Sequence, residues 1–239
     1  SPGRVLTLAP TYAEHPHAWR AHEVRAVCAE GIAAALGEAD ILLLVQPNNP
    51  DAQRFPRDQL LAWHAELAAR GGCLIVDEAF IDADPADSLV PLAGRPGLVV
   101  LRSVGKFFGL AGARVGFVFA EPAVLDVLAE RLGPWAVSGP ARQVTAAALA
   151  DTVWQAEARS CLARDSRRLA SLLDEKGLAG GGGTALFQWR PTPHAPAVHD
   201  ALAAKGILTR LFEAPAGLRF GLPASESEWA RLAAALAQI

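Results

Sequence analysis

The 239-residue chain has no methionine, one tyrosine and three cysteines. Cys28, Cys73 and Cys161 lie far apart and match no metal-ligand spacing, a usage that fits a reducing, cytoplasmic setting. Cys73 falls within an apolar run and reads as a small core residue. No apolar stretch approaches the ~20 residues of a membrane-spanning helix, and the N-terminus shows no signal-peptide pattern. There is no basic run either: the net charge is −3 with acids and bases interspersed, which argues against nucleic acid as the main partner. Lysine is scarce as well, with three lysines against nineteen arginines. Methionine is missing even at position 1, and Ser-Pro-Gly leads straight into a strand-like run. The chain therefore reads as a fragment whose N-terminal part is absent.

What is present suits a globular protein: 51% hydrophobic residues, with 17 prolines and 21 glycines spread along the chain. Short runs rich in Val, Leu and Ile at 5–9, 41–45, 73–76, 98–101 and 115–119 predict buried strands of a mostly parallel sheet. Helix-like segments fall between them, one over 56–70 with Pro56 near its start and Gly71-Gly72 at its end, another over 122–131. This alternation predicts an α/β fold, a mostly parallel sheet covered by helices. From 141 to 176 the composition predicts one long helix, and the glycines at 180–183 a turn. Beyond it, strands at 184–190, 207–211 and 217–221 with helices at 194–205 and 224–238 predict a small α+β unit. The expected division is residues 1–145 as a large domain and 146–239 as a long connecting helix with a small domain.

The scarcity of lysine makes Lys106 informative. Lys176 and Lys205 stand beside glycine at apparent helix ends, a solvated place. Lys106 stands in LRSVGKFFGL (101–110), between an apolar run and two aromatics, where an ammonium is costly unless paired, neutralised or covalently engaged. Lysine can lose its proton and form a Schiff base; arginine cannot. Asp77, in CLIVDEAF (73–80), ends an apolar strand at the edge where open α/β sheets bind ligands. It needs a cationic partner there: a protonated pyridine nitrogen, a metal-bound nucleotide, or a structural salt bridge. Strand followed by Asp-Glu is also a magnesium-nucleotide pattern, but an NTPase needs a Gly-x-x-x-x-Gly-Lys-Ser/Thr loop that this chain lacks. Asn49, in VQPNNP (45–50), has the chemistry of a turn, yet it precedes Asp77 by one strand–helix–strand unit and could reach the same crevice. Ser103, Lys106 and Arg114 together suit an anionic group. Arg210 and Arg219 lie among apolar residues of the last strands, each needing an acidic neighbour such as Glu213 or a substrate carboxylate.

Five motifs in order, PTY (10–12), PNNP (47–50), VDEAF (76–80), SVGK (103–106) with GLAGAR (109–114), and LR (218–219), resemble those of the fold-type I pyridoxal-phosphate enzymes, aminotransferase class I/II. The resemblance covers the whole chain. It is nearest to the branch of histidinol-phosphate aminotransferase and the cobalamin-pathway threonine-phosphate decarboxylase, with 206–212 and 218–223 most similar to the decarboxylase. It implies a pyridoxal 5′-phosphate lyase acting on L-threonine O-3-phosphate to give aminopropanol phosphate, with transamination as the alternative. It also implies a homodimer, a phosphorylated amino acid as substrate and no metal. Carried across, Lys106 is the lysine that joins the cofactor, and Asp77 holds its pyridine nitrogen. Asn49 bonds its phenolic oxygen, Tyr12 stacks on its ring, and Ser103 with Arg114 binds its phosphate. Arg219 takes the substrate carboxylate, and Arg210 is a further substrate-binding residue. Phe80 departs from the tyrosine of many aminotransferases, which removes one bond to the phenolic oxygen. The family's N-terminal segment, which supplies a phosphate-binding turn, is expected to be absent.

Overall fold

The computed structural model describes residues 3–238. It divides into two compact units, residues 1–49 with 53–154 and residues 50–52 with 155–239. The first unit contains β1 (Arg4–Leu8), α1 (Glu14–Ala18), β2 (Glu23–Val27), α2 (Ile32–Ala35), β3 (Ile41–Val45), α3 (Arg57–Ala68), β4 (Cys73–Asp77), β5 (Leu98–Ser103), β6 (Gly116–Phe119), α4 (Pro122–Leu132) and α5 (Gly139–Ala150). Its strands lie in the order β2-β1-β3-β4-β5-β6. Every neighbouring pair is parallel except β5 with β6, which is antiparallel.

The central position of β3 follows from its sequence. Ile41-Leu-Leu-Leu-Val45 has no polar face, and every residue is buried, as a strand covered on both sides requires. On one face Leu6, Leu42, Leu44, Leu74 and Val76 pack against Ile32 and Leu36 and against Leu60, Trp63 and Leu67 of α3. The buried positions of α3 fall at helical spacing, and the helix stops where Gly71 takes φ 75° and the Gly72 N–H donates to the Leu67 carbonyl at 2.8 Å. On the other face Val5, Ile41 and Leu43 meet Trp19 and Val24.

The second unit holds most of α6 (Thr152–Glu175), then β7 (Gly182–Gly183), β8 (Phe187–Pro191), α7 (Ala195–Ala203), β9 (Arg210–Glu213), β10 (Ala216–Gly221) and α8 (Glu226–Leu236). Its sheet has the order β7-β8-β10-β9 and is antiparallel throughout. Leu169 and Leu173, Val198 and Leu202, and Trp229 and Leu232 converge on Leu218 and Phe220 as its core.

Four features differ from the sequence-based expectation, one being that the strand expected at 207–211 lies at Arg210–Glu213. The helix over 141–176 is two helices: Asp151 leaves helical geometry (φ −80°, ψ 77°), and its carboxylate accepts the Trp154 N–H at 2.9 Å, starting α6 anew. Glycines 182 and 183 are not only a turn but a short strand paired with Gln188 and Trp189. Strand β2 was not anticipated, because Glu-Val-Arg-Ala-Val is a half-exposed edge strand without an apolar run. Among the described residues no helix is long and apolar enough to cross a membrane.

Candidate active site

Four parallel strands of the first unit deliver their carboxyl ends to one edge, and the candidate residues follow those ends. Tyr12 comes after β1, Asn49 after β3, Asp77 closes β4, and Ser103 closes β5 with Lys106 just beyond. The register is tight: Val45 stands opposite Asp77, and Asp77 opposite Leu101. The Gln46 N–H donates to the Asp77 carbonyl and the Glu78 N–H to the Leu101 carbonyl, each at 2.8 Å.

Asp77 is the fixed point of this edge. Its side chain is 15% exposed, Oδ1 accepts the Ala79 N–H at 2.9 Å, and Oδ2 lies 2.8 Å from His15 Nε2. His15 sits on α1, three residues after Tyr12, and the two rings meet edge to face at 5.6 Å. The Tyr12 ring is 45% exposed. The loop carrying it is tethered by Asn48, which is fully buried: Thr11 Oγ1 donates to Asn48 Oδ1 at 3.0 Å, and Asn48 Nδ2 donates to the Pro10 carbonyl at 2.8 Å. Asn49, next in the same turn, is half-buried.

Lys106 is exposed, with Nζ 5.4 Å from the centre of the Phe80 ring. Ser103 Oγ accepts the Gly105 N–H at 3.1 Å. A side chain at 105 would crowd that hydroxyl, since a Cβ there would lie 3.2 Å from Ser103 Oγ and 3.3 Å from Ala111 Cα. Arg114 is exposed and adopts the left-handed region (φ 54°), and its Nη1 donates to the Ala111 carbonyl at 3.2 Å. A non-glycine residue there is uncommon and marks a constrained turn. An amine, a hydroxyl and a guanidinium thus follow β5, with a half-buried carboxylate on the neighbouring strand. This donor set fits a phosphorylated aldehyde with a basic ring nitrogen. Lysine supplies the amine, serine and arginine the anion donors, and aspartate the counter-ion of a protonated ring.

The Asp-Glu pair that suggested a magnesium-nucleotide site is divided between two separate sets of contacts. Asp77 and Glu78 do not share a metal position: Asp77 meets His15, whereas Glu78 is fully buried and accepts from Ser88 Oγ and the Leu89 N–H, both at 2.6 Å. Among the described residues no group of three or more His, Cys, Asp or Glu could hold a metal.

Arg210 and Arg219 belong to the second unit, where they stand directly opposite one another on β9 and β10. Arg219 lies 5.1 Å from the Phe187 ring and Arg210 5.9 Å from that of Phe212. Burial first, and then the charge of Arg210, pull the Arg219 guanidinium below its ordinary value. Glu213 does not face Arg219 in the ladder; its opposite is Ala216. Cys73 is only partly buried, at the rim of the smaller cluster.

Sequence reasoning missed His15, Asn48 and Thr11. The one available signal was the placement of His15 three residues after Tyr12, in the loop that opens onto the strand ends. Nothing local announces its partner, 62 residues away.

Sheet topology and strand-end chemistry define a pyridoxal-phosphate type of α/β enzyme. The chain belongs to the aminotransferase class I and II family, whose model matches residues 2–236. It is 54% identical over 236 residues to the threonine-phosphate decarboxylase of Pseudomonas aeruginosa, covering 98% of this chain and 71% of that protein. A histidinol-phosphate aminotransferase of Aeromonas hydrophila is 40% identical over 119 residues, 49% of this chain and 33% of the relative. Among solved structures, the histidinol-phosphate aminotransferase of Sinorhizobium meliloti in complex with pyridoxal-5′-phosphate superposes with a TM-score of 0.88 at 26% identity, covering 100% of this chain and 70% of that one.

Proposed function

We propose that this chain is a pyridoxal-phosphate-dependent decarboxylase of L-threonine O-3-phosphate, releasing CO2 and leaving aminopropanol phosphate. The observation that carries this reading is the 54% identity to a threonine-phosphate decarboxylase, sustained over 98% of the chain. A histidinol-phosphate aminotransferase of Aeromonas salmonicida matches 78% of the chain, but at 34% identity. When bound, the cofactor supplies an electron-accepting ring that stabilises charge left on the substrate α-carbon.

The chain's own residues divide the remaining work. Lys106 would supply the amine that holds the cofactor aldehyde. Asp77 keeps the proton on the ring nitrogen, and His15 holds Asp77 in place through the 2.8 Å contact. Tyr12 covers one face of the ring, and Asn49 bonds its phenolic oxygen. Ser103 and Arg114 bind the cofactor phosphate, Arg114 as a fork and Ser103 as a single donor. Arg219 takes the substrate carboxylate, and Arg210 is a further substrate-binding residue. Phe80 offers no hydroxyl, so it leaves the phenolic oxygen to Asn49.

We also infer a homodimer in the cytoplasm. Leu125 and Leu132, on one face of α4, and Trp135 just beyond that helix are exposed, apolar side chains of the kind a subunit contact covers. All three cysteines are free, in keeping with a reducing compartment.

The deciding experiment measures CO2 release from threonine O-3-phosphate beside 2-oxoglutarate-dependent transamination of histidinol phosphate. Decarboxylation is expected to dominate. Transamination without CO2 release would replace this reading with the aminotransferase one.

A further inference from the structure

Each of the two strand-end residues read as cofactor ligands has a neighbour that joins a second, hidden network. Glu78 follows Asp77 and is fully buried. Arg102 precedes Ser103, with its side chain 18% exposed. Successive side chains along a strand point to opposite faces, so these neighbours turn away from the ligand edge. There they meet: Arg102 Nη1 donates to Glu78 Oε2 at 3.3 Å and to Ser88 Oγ at 3.2 Å, while Nη2 donates to Asp82. Ser88 Oγ and the Leu89 N–H complete the shell of Glu78, both at 2.6 Å.

The position of this network matters more than its strength. The register of β4 with β5 ends at Asp77 opposite Leu101, and a single bond from the Glu78 N–H to the Leu101 carbonyl follows. Past that point the side-chain bridge ties the two strand ends. A buried ion pair is a costly way to stabilise a core, since apolar side chains of similar volume serve as well or better, but its fixed geometry can hold register. Burial pushes the Glu78 carboxyl above its ordinary value, and the Ser88, Leu89 and Arg102 donors oppose that push.

We propose that Glu78, clamped to Arg102, is a positioning residue that sets the spacing between Asp77 and Ser103. It would thereby let one pyridoxal phosphate reach both at once. This rests on the reading of Asp77 and Ser103 as ring and phosphate ligands. A ligand that spans two anchors gains from their fixed separation, whereas a ligand using one anchor gains nothing.

The test titrates pyridoxal phosphate and pyridoxal, which lacks the phosphate, into the wild-type chain and variants, following fluorescence quenching. Glu78→Gln is expected to weaken pyridoxal phosphate about tenfold and pyridoxal less than about twofold, erasing much of the preference for the phosphorylated form. In a Ser103→Ala background, where one anchor is already gone, Glu78→Gln should add little. Leu67→Ala, in the core helix α3, should lower the unfolding midpoint while leaving the preference intact, which separates positioning from general loss of stability. Ser88→Ala, a gentler change to the same network, is expected to act in the same direction at about threefold, and it stands in if Glu78→Gln does not fold. An unchanged preference in Glu78→Gln or its stand-in, with Asp77→Asn still weakening both ligands, overturns the positioning role alone. Wild-type affinity in Asp77→Asn and Ser103→Ala overturns the underlying site assignment, and the positioning role with it.

Discussion

The two units treat charge in opposite ways. At the edge of the parallel sheet, Asp77 is met by an imidazole and a backbone N–H, so its side chain is oriented before any ligand arrives. On the antiparallel sheet, Arg210 and Arg219 stand directly opposite each other. Like charges in that relation repel, and burial adds to the cost for Arg219. The first arrangement fixes a carboxylate, and the second sets two cations side by side. Under the proposed function, the first would serve a bound cofactor and the second a substrate that enters and leaves.

The largest expected effect removes the proposed chemistry itself. Lys106→Ala should lower turnover by about 10³-fold or more, because no other residue is assigned the amine. The direct check is borohydride reduction followed by peptide mass mapping. Wild-type protein should carry one pyridoxyl group on Lys106, and an equal yield of adduct in Lys106→Ala would sink the assignment.

Next come the arginines. Arg219→Gln should cost roughly 100-fold in kcat/KM, the usual scale for losing one partner of a desolvated ion contact. Arg210→Gln should also weaken substrate binding, yet in the substrate-free protein it should raise stability by ~0.5 kcal/mol by relieving repulsion across the strands. Urea titration with and without substrate measures both signs. A destabilised, substrate-free Arg210→Gln would mean that the facing guanidiniums are a structural pair and would break the contrast.

The same contrast bounds what could be read from the sequence. The continuous run Ile41–Val45 could only be a buried strand, and a polar residue straight after such a run marks the ligand edge, so the convergence of Asn49, Asp77 and Ser103 was legible. Lys106 stands out for a different reason, an amine in a chain that otherwise uses guanidinium, and its role remains part of the proposal. The partner of Asp77 was not, because His15 is 62 residues away and no periodicity links a loop to a later strand end. The facing of Arg210 and Arg219 depends on the turn between β9 and β10, which sets register, and register is invisible to composition. The break at Asp151 was hidden because a single capping aspartate looks like any polar residue of a solvated helix.

His15 tests the held side of the comparison at moderate cost. His15→Phe removes the Asp77 partner while keeping an aromatic beside Tyr12, and should weaken pyridoxal phosphate binding about tenfold. His15→Gln, which can still donate, should lose only about threefold. Equilibrium dialysis of the cofactor checks both, and wild-type affinity in His15→Phe would show that Asp77 is positioned by the Ala79 N–H and the strand alone.

The smallest effect lies at the other end of β4. Cys73 begins the strand that Asp77 closes, and burial, with a lesser push from the Glu121 charge, raises its thiol from 9.0 to about 11. The folded chain thus holds the proton more tightly than the unfolded chain does. Its contribution is fully present below pH 9.0 and is lost as pH rises through about 11, because the unfolded thiol ionises first. Allowing for partial exposure, the loss is roughly 1–2 kcal/mol. Cys73→Ala should flatten that stretch of the stability–pH curve, and the stability of this variant below pH 9.0 sets the baseline for the comparison. Urea midpoints measured between about pH 8 and pH 11 give the slopes. Identical curves for wild type and Cys73→Ala would show that this end of the strand takes up water before the thiol ionises, leaving tight hold on charge a property of the ligand edge alone.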